Sequence, residues 1–221
     1  MENNALQLWL AHQSSSGALA AASQETGIQP ANITVHSAYM GGGFGRNGEL
    51  DIVLRACAVA KAMPGMPIMT MYTREEDMLK SVYRPASTST FQAALNPAGR
   101  IAAWTHKIVS QSPMKDAMAR AIPPMEMPGM EAGLTDGARF LPYHMPHRKV
   151  EMSTLDLPIP VGPMRGVDHV TNAYFTECFM DECAKAAGID PLLFRQQHLK
   201  DHPSYLAVLE RLAQRSNWYQ A

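Results

Sequence analysis

The chain has 221 residues, enough for one large domain or two small ones with a buried core. Its net charge of −1 gives no electrostatic case for nucleic acid or an anionic membrane surface. No stretch reaches the length of a membrane span, and the N-terminus shows no basic segment running into an apolar one. Cys57, Cys178 and Cys183 match no zinc spacing, and an odd count suggests no disulfide framework, so they read as small buried hydrophobes. Met and Pro, 16 of each, are over-represented; the first fills irregular gaps and the second marks a loop-rich fold.

Leu6 to Leu10 alternates like a strand. Ser14 to Thr26 is spaced for a helix that Gly27 stops. Asn32 to Tyr39, with its β-branched residues, predicts a second strand. After a glycine loop, Glu49 to Met63 carries an apolar helical stripe of Leu50, Val53, Leu54, Cys57 and Ala58, ended by Pro64-Gly65. Ile68 to Tyr72 predicts a third strand, and Thr73 with Glu76 a capped short helix. Ser87 to Leu95 and Ile101 to Val109 predict a hairpin joined by Asn96-Pro97-Ala98-Gly99.

From Gln111 to Met164 prolines recur and no regular element is legible, apart from a short strand at Val150 to Ser153. So long an irregular stretch points to a functional loop or one wrapped on another part of the protein. The last third is helical. Asp168 to Ala187 shows Phe175, Phe179, Cys183 and Ala187 at four-residue steps, Asp190-Pro191 is a helix start, and Ser204 to Arg215 is a further helix. The fold class expected is α+β, mixed sheets with packed helices. The expected division is residues 1–110, a first subdomain, and 111–221, the irregular region with the C-terminal helices.

Gly41-Gly42-Gly43-Phe44-Gly45-Arg46 carries the chemistry. Consecutive glycines let backbone approach a ligand closely and take positive φ without strain. Between a strand and a helix, such a loop offers free N–H groups to an anion such as phosphate. Gly43 to Gly48 also satisfies G-x-G-x-x-G, so a nicotinamide or flavin domain is a rival. Against it, Thr73-Arg74 follow the strand where a ribose-binding acid is expected, and a hairpin comes next rather than further βαβ units. A glycine turn with no ligand is the third reading. No Gly-Lys-Ser/Thr is present, so there is no P-loop. His144 and His147 flank a proline and cannot share a helical face, so no metal site is expected there.

Several segments together resemble the molybdopterin-binding large subunit of the xanthine dehydrogenase and aldehyde oxidase family, on the side of the isoquinoline 1-oxidoreductase β subunit and related bacterial aldehyde dehydrogenases. They are Trp9 to Ser14, Met40 to Arg46, Thr73 to Met78, Tyr83 to Ala86, Gly162 to Gly166, Phe175 to Glu182 and Gly188 to Arg195. The resemblance implies a molybdopterin-type molybdenum cofactor. Gln13 falls where a glutamine amide faces the oxo ligands of molybdenum; an amide donates without adding charge. Gly42, Gly43, Phe44 and Gly45 fall where backbone N–H groups and an aromatic ring meet the cofactor. Arg165 falls where an arginine lies near cofactor and substrate, a fixed cation suited to an oxyanion or phosphate. Taken alone, Gln13 also reads as a helix cap and Arg165 as a surface arginine.

The implied reaction is hydroxylation of an aldehyde or N-heteroaromatic carbon, with water as the oxygen source. The partners implied are an iron–sulfur or cytochrome electron-transfer subunit, the remainder of the large subunit, and a small-molecule substrate. Three scattered cysteines cannot hold a cluster. No protein ligand to the metal is expected, because the pterin dithiolene holds it. The family's general base is a glutamate far toward the C-terminus, beyond Ala221, so no catalytic residue is assigned here. Xanthine-oxidising members also place a glutamate four residues past the loop phenylalanine; Gly48 stands there and Glu49 follows. The chain therefore reads as a partial subunit, with a non-catalytic binding or assembly module as the alternative.

Overall fold

The computed structural model describes residues 1, 3–121 and 130–220. The chain forms two compact units and passes between them several times. One comprises Met1–Pro85, Gln111–Glu131 and Asp156–Val167; the other comprises Ala86–Ser110, Ala132–Leu155 and Asp168–Ala221.

In the first unit, strand β1 (Leu6–Leu10) pairs in parallel with β2 (Ile33–Ser37), from Leu6 opposite Ile33 to Leu10 opposite Ser37. Helix α1 (Ser15–Thr26) is the crossover between them. Both of its ends are set by local chemistry. The Ser14 hydroxyl accepts from the Gly17 N–H, and Gly27 closes the helix at φ 78°. Its buried face is Ala18, Ala21 and Ala22, small enough to let α1 lie close on α2 (Asp51–Ala62). Leu6, Ile28, Ile33, Val53 and Cys57 complete this core. Each large aliphatic side chain so buried contributes about 1.5–3 kcal/mol. Of the expected α2 stripe, Val53 and Cys57 are buried while Ala58 is exposed. Helix α3 (Arg74–Lys80) starts as expected, with the Thr73 hydroxyl accepting from the Glu76 N–H at 3.1 Å.

Two expectations in this unit are corrected. Residues 68–72 belong to no strand. Ile68, Thr70 and Tyr72 are half-buried and Met69 and Met71 exposed, so the alternation is present and the ladder partner is not. The stretch read as irregular contains helix α4 (Pro113–Ala121), whose importance lies in long-range ion pairs rather than an apolar stripe.

The second unit is built on β3 (Ser87–Leu95), β4 (Ile101–Ser110) and β5 (His147–Thr154), in the order β3-β4-β5. The β3–β4 hairpin is the predicted one. The Asn96 side chain accepts from the N–H groups of Ala98 and Arg100, and Gly99 takes φ 73°. β5, longer than the predicted strand, pairs with β4 in parallel. Helices α5 (Val167–Ala187, its first residue in the other unit), α6 (Pro191–His198) and α7 (Pro203–Ser216) follow. Asp190 caps α6 by accepting from the N–H groups of Leu192 and Leu193.

The buried face of α5 is only partly the predicted one: Cys183 is buried as expected, but the rest of the face runs Asp168, Asn172, Thr176, Met180 and Ala184, one step round from the aromatic stripe, and Cys178, expected to be buried, is exposed. Asn172 is buried because its amide donates to the carbonyls of Leu134 and Asp136. Phe179 still stacks on Phe91 at 4.7 Å between ring centroids. Trp104, Met180 and Phe194 fill the centre. His198 ties α6 to the sheet: Nδ1 donates to the Phe194 carbonyl and Nε2 accepts from the Ile101 N–H at 3.0 Å. His144 pairs with Asp201 at 2.9 Å. Among the described residues no helix is long and apolar enough to cross a membrane.

Candidate functional site: a glycine cradle around Gln13

Gln13 follows the end of β1 and is fixed twice. Its backbone N–H donates to the Asn47 carbonyl at 2.9 Å, and its side-chain Oε1 accepts from the Gly45 N–H at 3.0 Å. A backbone N–H can only donate, so the atom it meets is the amide oxygen. The amide NH2 is left pointing away from that bond, with no partner among the described residues. His12 supports the same corner. Its Nδ1 accepts from the Ser14 N–H, which leaves Nε2 to donate to the Glu49 carbonyl at 3.1 Å.

Three of the loop's glycines, Gly42, Gly43 and Gly45, are required by close approach or positive φ. A Cβ at Gly43 would coincide with the Gln13 side chain, so this glycine makes the room that the amide occupies. Gly45 sits at φ 84°, and a Cβ there would strike the backbone carbonyl of Pro163. Phe44 takes φ 52°, a left-handed conformation that costs a non-glycine residue about 1–2 kcal/mol. Its ring remains 59 % exposed, and an apolar ring held out at that cost is a feature of sites rather than of cores. The N–H groups of Gly43 and Phe44 donate to no described residue.

The helix expected from Glu49 starts two residues later. A 3-10 turn, Arg46–Gly48, intervenes, and α2 starts only at Asp51. Asp51 puts a carboxylate in the helix's first turn, where an anion would otherwise sit. Arg46 is not available to a ligand either. Its guanidinium grips Asp51 at 3.0 and 3.1 Å and donates to the Ser81 hydroxyl at 2.8 Å. Burial pushes the Asp51 carboxyl up, but Arg46 and the Tyr72 hydroxyl outweigh it and hold the group below the usual carboxylate range.

A second segment, residues 161–167, is brought onto the glycine loop by the Pro163–Gly45 contact. Four side chains to which the sequence pattern assigns no role hold it there. Arg84 donates to the carbonyls of Val167 and Arg165, both at 2.9 Å. Arg120, from α4, donates to the Val161 carbonyl at 2.8 Å and pairs with Glu49 at 2.9 Å. Asp116 accepts from the Val161 N–H at 3.2 Å. Glu49 is only 5 % exposed and lies against Gly162, where a Cβ would meet its Oε1 at 2.5 Å. The signal for Arg84 stands in the Tyr83-Arg84-Pro85 segment; the contacts of Arg120 and Asp116 to Glu49 and Val161 are not marked, because those partners are distant in sequence. Arg165 is exposed, and its guanidinium has no partner among the described residues. Gln13, Gly42, Gly43, Phe44, Gly45 and Arg165 thus all belong to the first unit.

Residues 1–199 match the family model described as the molybdopterin cofactor-binding domain. The chain belongs to that family. The family's fold agrees with solved structures: quinoline 2-oxidoreductase from Pseudomonas putida 86 superposes with a TM-score of 0.76 at 20 % identity, covering 97 % of this chain and 28 % of that one. Aldehyde oxidoreductase from Desulfovibrio gigas gives 0.63 at 20 % identity, over 81 % of this chain and 19 % of that one. Among curated relatives, the isoquinoline 1-oxidoreductase β subunit of Brevundimonas diminuta is 28 % identical over 197 residues, 87 % of this chain and 24 % of that protein. A nicotinate dehydrogenase subunit of Pseudomonas putida is 28 % identical over 182 residues, 80 % and 15 % respectively. The chain therefore spans a quarter or less of these two relatives. It is a molybdopterin-binding segment of the xanthine dehydrogenase type, and the α+β fold expected for such a segment is the one observed.

The site's residues fit the family's cofactor. The cradle offers an uncharged donor, two backbone N–H groups without a partner among the described residues and an exposed aromatic residue, and Arg165 lies in the segment that meets the loop at Pro163. That set suits an anionic, oxygen-rich group. The dinucleotide reading loses its context: the loop does not start a helix, and residues 68–72 are outside the sheet.

Proposed function

We propose that this chain carries one wall of the molybdenum-cofactor site in an oxidoreductase subunit that hydroxylates an aldehyde or N-heteroaromatic carbon with oxygen from water. The observation that carries it is the Gln13 amide, oriented by the Gly45 N–H so that its NH2 is the group on offer. When bound, the cofactor supplies the two-electron oxidation of the substrate carbon. The Gln13 amide would donate a neutral hydrogen bond to the bound group, and the N–H groups of Gly43 and Phe44 would add two more. The Phe44 ring excludes water from one side. Arg165 holds negative charge on the substrate or the cofactor.

The proton acceptor comes from another part of the same large polypeptide. Glu49 is held by Arg120 and Asp51 by Arg46, so neither carboxylate at the end of the loop is free to take a proton. Electrons leave to an iron–sulfur or cytochrome partner. A chain acting alone would bind cofactor without turnover.

Two measurements test this. Molybdenum content and dye-linked aldehyde oxidation are read for the 221 residues alone and within the complete subunit. Metal bound in both and oxidation only in the second is expected; oxidation by the isolated chain would overturn the placement of the base. In the complete subunit Gln13→Ala is expected to lower kcat about a hundredfold, the usual effect of losing one oriented donor. Gly43→Ala displaces the same amide through its flexible end. It is expected to reproduce part of that loss, about tenfold, while thermal stability falls by less than about 1 kcal/mol. Equal activity in both variants and wild type would remove Gln13 from the site.

A further inference from the structure

Among the described residues no three His, Cys, Asp or Glu side chains come together to hold a metal ion. The soft donors of the first unit are placed differently. Met63, Met66 and Met69 recur at every third position between α2 and α3, in a stretch with no charged residue from Lys61 to Arg74. All three are exposed, Met69 by 87 %. Methionine is ordinarily a core residue, so three on the surface of one uncharged stretch need a reason.

The backbone gathers them. The Met66 N–H donates to the Met63 carbonyl at 3.3 Å around Pro64-Gly65, and Gly65 takes φ 79°. Proline second and a positive-φ glycine third are the marks of a type II turn, which holds its first and fourth residues within about 7 Å. The turn is pinned from outside, because the Gly65 N–H also donates to the Met1 carbonyl at 2.7 Å. Met66 and Met69 in turn line one groove beside β1. Ile68 and Thr70 are half-buried on either side of Met69, which anchors the backbone while its own side chain stays out. Long, unbranched side chains let the three sulfurs converge from these positions.

We propose that the thioethers of Met63, Met66 and Met69 form a binding site for a soft monovalent cation of the Cu(I) class. Softness selects the ion: uncharged, polarisable sulfur suits Cu(I), whereas Mg and Ca require oxygen donors. The turn sets the first two donors and the groove rim sets the second with the third. A thioether has no proton to lose, so uptake is independent of pH near neutrality. The site shares no residue with the glycine cradle, and it holds whether or not the molybdenum cofactor binds.

The test adds Ag(I), a redox-inert stand-in for Cu(I), to the 221-residue chain carrying Cys178→Ser, which removes the exposed thiol. Methyl resonances of carbon-13-labelled methionine report each thioether. The methyls of Met63, Met66 and Met69 are expected to shift together and saturate at about one equivalent, while those of Met78 on α3 and Met152 on β5, both exposed, stay in place. Met66→Leu with Met69→Leu keeps two apolar side chains of similar volume and removes their sulfurs. It is expected to weaken Ag(I) binding by about tenfold or more, with β1 and β4 amides reporting that both units stay folded. Shifts spread evenly over every exposed methionine, or an affinity unaltered in the double variant, would mean adventitious silver only and overturn the site. So would an affinity that rises steeply between about pH 5.5 and 7.5, since an imidazole or the Cys57 thiol on the groove's floor would then be the ligand.

Discussion

Replacing Arg120 by Met is expected to destabilise the first unit by about 3 kcal/mol, because it strands the buried Glu49 carboxylate. The guanidinium supplies all three of the charge-assisted contacts to Glu49, at 2.9, 3.1 and 3.4 Å, and also caps the Val161 carbonyl. Removing it leaves a nearly inaccessible negative charge and an unpaired carbonyl. Two effects follow together. The unfolding midpoint drops, by roughly 6–12 °C for a chain of this size. The 161–167 segment loses one of its anchors, so Arg165 is less well placed and KM for an anionic or polar substrate rises more than kcat falls. The pairing is separable from mere packing by the double variant. Glu49→Gln alone keeps shape and removes charge; combined with Arg120→Met it should recover about 1–2 kcal/mol of the single-variant loss. Urea unfolding of the four proteins measures the coupling. Additive losses would show that Arg120 acts through its stem and not through Glu49.

The parts of the fold that are legible in the sequence are those closed by neighbours in the chain. Gly27 and Asp190 set helix ends through contacts within a few residues, and the Asn96 turn fixes the hairpin in the same way. The glycine loop stands out in the sequence because close backbone approach restricts residue type severely, whereas Gln13 is marked only by the family resemblance. What the pattern misses depends on distant partners. The alternation of 68–72 is real, but a strand exists only when another backbone takes its hydrogen bonds. α4 carries Asp116 and Arg120, whose partners Glu49 and Val161 lie far away in sequence; its only local marks are the Ser112 cap before Pro113 and the i,i+4 pair of Asp116 with Arg120. The aromatic spacing of α5 points to one face, yet Asn172 and Thr176 are buried and Phe175 only half so. Buried polar residues in a helix interface, Asn172 with its amide satisfied and Thr176 with its hydroxyl unpaired among the described residues, are invisible to a hydrophobicity pattern. The helix expected from Glu49 starts at Asp51, because the Arg46–Gly48 turn uses the N–H groups of Gly48 and Glu49.

The second unit should lose stability in mild acid, and His106 is the reason. Its ring is fully buried on β4, stacked on Phe91 at 4.0 Å. Nε2 shares a hydrogen with the Ser89 hydroxyl at 2.9 Å, and Nδ1 has no partner. Burial disfavours the charged form and pushes the imidazole down to about 4. In the unfolded chain the group protonates near 6.5. Between those values the unfolded state binds a proton that the folded state does not. The penalty is therefore absent above about pH 6.5, grows as pH falls, and levels off below about 4. At 1.36 kcal/mol per unit the loss amounts to about 3 kcal/mol across that window. His106→Phe keeps a flat ring for Phe91 and removes the titration. Its unfolding free energy should track wild type within about 1 kcal/mol at pH 7.5 and exceed it by about 2–3 kcal/mol at pH 4.5. Trp104, 1 % exposed beside Trp9 at 70 % and Trp218 at 46 %, gives the fluorescence signal for this core. His198 is also held down by burial, but it titrates equally in both proteins and cancels from the difference. A wild-type and variant difference that stays constant from pH 7.5 to 4.5 would mean that the folded protein takes the proton on His106 as readily as the unfolded chain.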